Sequence, residues 1–342
     1  MTLKPVNRIQ MIGTQRSGSN LVRLVLNGTD EVVAPPSAHE YRDFADLYRY
    51  YAPHGPDKLL RLADDMSQLV RLNALPWPEA DLTGKTIASH ATGRTLSHVV
   101  IAMYDALALQ TGSTAWVNKC LENHRYLLEL ITARPDLRVL HLVRDPRDVA
   151  LSFRKAPIGP KDPWVIAQHW LNDQRSIREL RENLMTKGAH WTTVRYEDVV
   201  VDPEAQFESI CRELGVAWTS AALRFHSSRD AVTAASLSPL WETLAKPIAR
   251  DRVGGHKSPS HRQFVTHVEE IASAEMRTFG YEPVYCRHPI TLSKSQFAQA
   301  KLRDKHLRLS ATRARPLATE ELHTRRDRYL ENLRLRLIEE AG

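Results

Sequence analysis

Cysteine is scarce in this chain of 342 residues: only Cys120, Cys211 and Cys286. They are too few and too scattered for a disulfide framework, and an odd number leaves at least one thiol free. With no CxxC pair, a structural zinc site is not expected. Long apolar runs are also missing. No window approaches the roughly 18 unbroken apolar residues of a membrane-spanning helix. The opening Met-Thr-Leu-Lys-Pro-Val-Asn-Arg has no apolar stretch after its charges, which argues against a cleaved signal peptide. These absences together lead us to expect a cytoplasmic protein without a transmembrane segment.

The body also lacks a surplus of charge of either sign. The net charge of +7 is concentrated from Arg287 onward, where 13 basic residues face 7 acidic ones; the preceding residues hold 34 against 33. A near-neutral body does not look like a nucleic-acid-binding domain, whose basic residues would cluster on the body itself. Apolar residues make up 42% and charged residues 25%, an ordinary globular composition. Such a chain can bury a full core without disulfides or metals. No internal repeat is visible.

The organisation is that of an α/β protein. A short apolar run from Arg8 to Ile12 ends at Gly13, and after Gly18 the residues Leu21, Val22, Leu24 and Val25 recur at helical spacing. Strand, glycine-bracketed loop and helix open a βαβ unit. Helical segments rich in Tyr and Phe follow between about Ser37 and Leu75, ending at Pro76-Trp77-Pro78. A second apolar run, Ala115 to Val117, leads into Asn118-Lys119. Arg138 to Val143 reads as a buried strand and Pro163 to Met185 as a long helix. Trp191 to Arg195 is a further strand, and Pro203 opens a helix that closes at Gly215. Strands alternating with helices predict a mainly parallel sheet flanked on both faces, a three-layer P-loop-like fold. The expected division is a body over 1–286 and a basic helical extension over 287–342, with two arginine-rich segments parted at Arg315-Pro316.

The loop Gly13-Thr14-Gln15-Arg16-Ser17-Gly18-Ser19-Asn20 carries the most information. Its glycines have P-loop spacing between a strand and a helix. Backbone amides and a helix N-terminus there suit an anion. What it lacks is the Lys-Ser or Lys-Thr pair after the second glycine, which a nucleoside-triphosphate site needs for the phosphates and magnesium. The cation lies inside the loop instead, as Arg16. The anion expected is therefore one that needs no metal.

This loop resembles the cofactor loop of sulfotransferases that use 3′-phosphoadenylyl sulfate (PAPS). The stretch from Leu142 to Phe153, Leu-Val-Arg-Asp-Pro-Arg-Asp-Val-Ala-Leu-Ser-Phe, is similar to the second signature of that family. Val194 to Val199 resembles the segment whose tyrosine lies near the adenine. The matches run from about residue 8 to residue 283. The resemblance implies that Arg16, Ser17, Gly18, Ser19 and Asn20 cradle the cofactor. It further implies that Arg144 and Ser152 hold its 3′-phosphate and that Tyr196 lies by the base. Taken alone, an arginine at the end of a parallel strand sits in the crevice where α/β folds bind ligands. It pairs as readily with Asp145 or Asp148.

For the chemistry, the resemblance places Lys119 near the bridging oxygen, where it would stabilise the leaving group. The base would come from the second strand end, Ala34-Pro35-Pro36-Ser37-Ala38-His39-Glu40. His39 is the residue type whose unperturbed pKa, about 6.5, suits taking a proton near neutrality. Glu40 is the alternative, either as base or by orienting His39. His141, inside an apolar strand, is expected to be a core residue. Ala235 to Pro239 and Lys246-Pro247 resemble the cofactor-closing loop of tyrosylprotein sulfotransferases, which would bring Ser236 and Lys246 to the phosphates. The loop Arg252 to Arg262 is a further candidate for closing the site.

The expectation is thus an enzyme that moves a sulfuryl group from PAPS to a hydroxyl of a sugar, lipid or other small molecule, without metal. Two alternatives stay open. One is a P-loop small-molecule kinase with Asp145 as a magnesium ligand. The other is a non-catalytic nucleotide-binding protein that uses its tail on a membrane or RNA. The tail itself, with leucines such as Leu302, Leu309, Leu322, Leu330, Leu333, Leu335 and Leu337 among its arginines, suits packing on the body, homodimerisation or contact with the inner face of a membrane.

Overall fold

β1 (Asn7–Gly13) is buried along nearly its whole length, because it lies in the middle of a sheet covered on both faces. β2 (Val32–Val33) and β3 (Ala115–Asn118) extend the sheet on one side, β4 (Arg138–Val143) and β5 (His190–Arg195) on the other, in the order β2-β3-β1-β4-β5. Every pairing is parallel: Ile9 faces Val117 on one side and Arg138 on the other, and Val143 faces Arg195. The computed structural model describes residues 6–51, 55–157, 159–237, 241–312 and 317–340.

Period-two alternation assigns the strand side chains to two layers. Ile9, Met11, Val117, Leu140 and Leu142 pack with the helices Ser19–Asn27 and Pro203–Leu214. Ile12, Trp116 and Val139 pack on the other face with the helix Leu96–Gln110. The fold is therefore the expected α/β arrangement, one parallel sheet between helical layers. The helix Pro163–Met185 has the predicted bounds, opened by Asp162, whose carboxylate accepts from the amides of Trp164 and Val165. His141 is buried, with Nε2 against Gln174 Oε1 at 3.0 Å, and burial pulls its pKa down to about 4. Tyr41, Phe44 and Tyr51, from the aromatic-rich stretch, are core residues.

Beyond Cys286 the chain forms two helices, Lys294–Thr312 and Leu317–Glu339. Leu330, Leu333 and Leu337 are buried in the body's core, whereas Leu302, Leu309 and Leu335 are exposed. Arg315-Pro316 and the side chain of Leu322 lie outside the described residues.

Parallel strands end on one edge. That edge gathers the loop after β1, the turn after β2 at Ala34 to His39, Lys119 after β3, Arg144 after β4 and Tyr196 after β5. A crevice at the carboxyl ends of the strands is where this architecture has room for a ligand.

Candidate active site

The loop after β1 is held open by contacts that only glycine allows. A Cβ on Gly13 would lie 2.2 Å from the carbonyl oxygen of Leu142, and one on Gly18 would lie 2.3 Å from the ring of Tyr196. Gly18 also stands at φ 89° and begins the helix Ser19–Asn27 with no side chain capping the first-turn amides. Arg16 stands at φ 71°, and the described residues contain one other non-glycine at positive φ, His39 at 60°. Left-handed backbone costs an ordinary residue about 1–2 kcal/mol. Such a conformation persists only where the surrounding structure over-determines it, here at two candidate site residues.

Arg16, Gly18, Ser19, Asn20, Arg144, Ser152, Tyr196 and Lys246 line one cleft together with Trp241 and Arg252. Arg144 is 6% exposed and makes two bonds to carbonyls, Nη1 to Arg16 O at 3.0 Å and Nη2 to Arg252 O at 2.5 Å. Its guanidinium lies over the ring of Tyr196, 4.4 Å from the centroid. Among the described contacts Arg144 is bonded to neither Asp145 nor Asp148, the alternative partners. Asp145 is taken by Arg147, which donates to Oδ1 at 2.9 Å and to Oδ2 at 2.7 Å. Asp148 accepts the amides of Gly254 and His256 and faces His256 Nδ1 at 3.0 Å. This anchors the loop that carries Arg252, so part of the stretch expected to close the site does line it.

Three arginines thus converge without a carboxylate bound to Arg16 or Arg144 among the described contacts. Burial, then repulsion by Arg144 and Arg252, pushes the pKa of Arg16 down to about 10. Arg16 Nε donates to Ser152 Oγ at 3.1 Å. Arg144 Nε and Ser17 Oγ are buried with no hydrogen-bond partner among the described residues. Buried donors left open beside crowded positive charge fit a multiply charged anion. Ser17 itself is fully buried and is not a wall of the cleft, whose arginines and glycine-cleared surface suit an anionic group.

A second cavity adjoins the first. Ser37, His39, Arg42, Lys119, Trp241 and Arg326 are among its walls, and Trp241 lines both. Lys119 spans the two as well: it borders the second cavity, and its Nζ donates to Oδ1 of Asn20, a wall of the first, at 2.8 Å. Burial, with Arg23 nearby, pulls the Lys119 pKa down to about 8.

His39 Nδ1 lies 3.0 Å from Glu122 Oε1. Burial alone would raise the Glu122 pKa, but His39, Arg42 and Gln15 together hold it down at about 2. The carboxylate is ionised and suited to accept a hydrogen bond from His39 Nδ1, the tautomer that would leave Nε2 as the acceptor. Glu122 lies three residues after Lys119 in a short 3-10 helix, Leu121–Tyr126. Nothing in its spacing to His39 singles it out in the sequence.

Glu40, the alternative base, is 2% exposed and lines neither cavity; Tyr104 Oη donates to its Oε1 at 2.6 Å and Asn118 Nδ2 at 3.0 Å. Orientation of His39 falls to Glu122 instead. Ser236 is exposed, outside the cleft, with Oγ donating to Thr233 O at 2.8 Å. Lys246 reaches the cleft but is held by Glu242 at 2.7 Å. Ser238 and Pro239 lie outside the described residues.

A parallel α/β sheet with an arginine-lined cleft and an adjoining cavity at its carboxyl edge is an architecture that can hold an anionic ligand beside a second one. Comparison narrows the class. The sulfotransferase family model matches residues 8–220, and the chain belongs to that family. Among solved structures it is similar to the sulfotransferase domain from the Synechococcus PCC 7002 olefin synthase, with 22% identity and a TM-score of 0.51. That match covers 82% of this chain and 98% of that one. It is also similar to the sulfotransferase domain from the curacin biosynthetic pathway, with 18% identity and a TM-score of 0.46, over 66% and 80% of the two chains. An uncharacterized protein of Aquifex aeolicus (strain VF5) is 24% identical over 273 residues, 77% of this chain. The chain spans about a third of that relative's length (32%).

Proposed function

We propose that this protein transfers the sulfuryl group of PAPS to a hydroxyl of a sugar, lipid or other small-molecule acceptor, releasing adenosine 3′,5′-bisphosphate (PAP). The observation that carries this reading is Lys119 at the junction, bonded to Asn20 of the arginine-lined cleft and bordering the cavity of His39.

In this reading Arg144 and Ser152 hold the 3′-phosphate, and the loop residues Arg16, Ser17, Gly18, Ser19 and Asn20 cradle the cofactor. Tyr196 packs by the adenine. The donor, when bound, supplies an activated sulfuryl group whose bond to the 5′-phosphate breaks as the acceptor oxygen bonds to sulfur. His39 Nε2 takes the proton of the acceptor hydroxyl, and Glu122 stabilises the imidazolium that results. Lys119 neutralises the charge that grows on the departing phosphate, aided by its burial, where a charge–charge contact is worth more than in water.

The kinase alternative needs Asp145 free for magnesium, and Arg147 occupies both of its oxygens. A purely nucleotide-binding role leaves the ionised Glu122 beside His39 without a purpose. Among the described residues no helix is long and apolar enough to cross a membrane. The C-terminal helix turns Leu330, Leu333 and Leu337 onto the body. Contact of the extension with a membrane or a second copy would fall to its exposed apolar residues, such as Leu302 and Leu309 on one helix and Leu335 and Ile338 on the other.

The test is a thermal shift with PAP against ATP plus magnesium, each with and without chelator. Saturation at 100 times the dissociation constant adds about 2.7 kcal/mol, a rise of a few degrees in Tm. We expect the rise with PAP, indifferent to magnesium. A rise only with ATP and magnesium overturns the reading.

A further inference from the structure

The helix Leu317–Glu339 lies outside the stretch matched by the family model, yet it reaches the cavity of His39. It is fastened to the body at several points. Leu330, Leu333 and Leu337 are buried. Arg336 donates to both oxygens of Asp65 at 2.7 Å, and Tyr329 Oη donates to the same carboxylate at 2.9 Å. Arg61 pairs with Glu340 at 2.5 Å. Asp327 and Leu330 of this helix line the cavity.

Just before these contacts in the helix stands Arg326, 6% exposed. Its Nη2 donates to the carbonyl oxygen of Ala38 at 3.1 Å and to the carboxylate of Asp43. Ala38 immediately precedes His39. Asp43 lies in the short helix Glu40–Phe44, for which His39 is the N-cap. Arg326 therefore grips the chain on both sides of a residue in left-handed backbone, a conformation that persists only where its surroundings over-determine it. From the other side, the amide of His39 donates to Cys120 Sγ at 3.3 Å and the ring meets Glu122. Arg42 Nε also donates to Asp43, at 2.9 Å, but its side chain is half exposed and makes no described contact with Ala38. A planar guanidinium can bridge a carbonyl and a carboxylate at fixed geometry, which a single flexible ammonium does less well.

We propose that Arg326 is a positioning residue: by holding Ala38 and Asp43 it keeps His39 in its left-handed conformation, with Nδ1 on Glu122 and Nε2 free for the acceptor. The C-terminal helix is thereby part of the acceptor half of the site. This rests on the reading of His39 as the base.

The test uses the full chain with 15N-labelled imidazoles, recorded at about pH 8.5, two units above the ordinary histidine pKa. The signals of His39 are assigned by their loss in His39→Gln. In the parent chain we expect His39 to show the Nδ1-protonated tautomer. In Arg326→Met that signature is lost to an average of both tautomers, while the Tm rise with PAP is unchanged; Arg326→Lys keeps the signature in part. An unchanged His39 signature in folded Arg326→Met overturns the proposal. Should Arg326→Met not fold, Asp43→Asn loosens the same grip from the other side and must move the same signals, or the proposal fails. Absence of a PAP response in the parent chain counts against the sulfotransferase reading alone, because the His39 spectra judge Arg326 without any ligand.

Discussion

His39 and Glu122 stand 83 positions apart in sequence and meet at 3.0 Å, Nδ1 to Oε1. The pairing sets the imidazole tautomer and gives the ring a fixed counter-ion, so each partner has a separable effect. His39→Ala should lower the rate of PAP formation by roughly 10²–10⁴ and leave PAP affinity intact. Glu122→Gln should lower the rate by about 10–100, since the ring remains but loses its orientation and charge partner. Calorimetric PAP titration beside initial rates checks both; full activity of His39→Ala would move the base elsewhere.

Lys119 makes the reaction sensitive to alkaline pH. Its pKa is lowered from 10.5 to about 8, so the ammonium is lost as pH rises through about 8. The rate of PAP formation at low PAPS should fall above that value. With PAPS saturating, the added negative charge beside Lys119 should carry the falling limb upward. The stability effect has the opposite sense: the buried ammonium costs stability below about pH 8, and the cost is relieved between 8 and 10.5. Lys119→Met should remove the limb together with most of the activity.

Gly18→Ala should damage donor binding more than the fold. The new Cβ meets the Tyr196 ring at 2.3 Å, and the residue must keep φ near 89°. Relief requires the ring to move, and with it the contact to Arg144. We expect PAP affinity to fall at least tenfold, measured by calorimetry, with Tm lowered by a few degrees.

Arg144→Ala should weaken PAP binding by about 1.5–3 kcal/mol, the scale of a charged hydrogen bond. It also unties the carbonyls of Arg16 and Arg252, so it tests the cleft as a unit. Unchanged affinity would refute the 3′-phosphate assignment.

The features set by neighbouring residues are the ones visible in the sequence. A buried strand, two glycines at P-loop spacing and an amphipathic helix are properties of short windows, and β1, the loop to Gly18 and the helix Ser19–Asn27 follow from them. The same holds for β4 ending in Arg144, for the helix opened by Asp162-Pro163, and for the carboxyl-edge crevice that parallel strands create. Side-chain partnerships are of another kind. Glu122 rather than Glu40 meets His39, because Glu40 begins a helix whose packing buries its carboxylate against Tyr104 and Asn118. Arg147 rather than Arg144 takes Asp145, which leaves Arg144 open to an anion. Arg326 reaches Ala38 across 288 positions. Local backbone preference acts over a few residues and is written there; which charge meets which depends on how distant segments pack, and only the tertiary structure decides it.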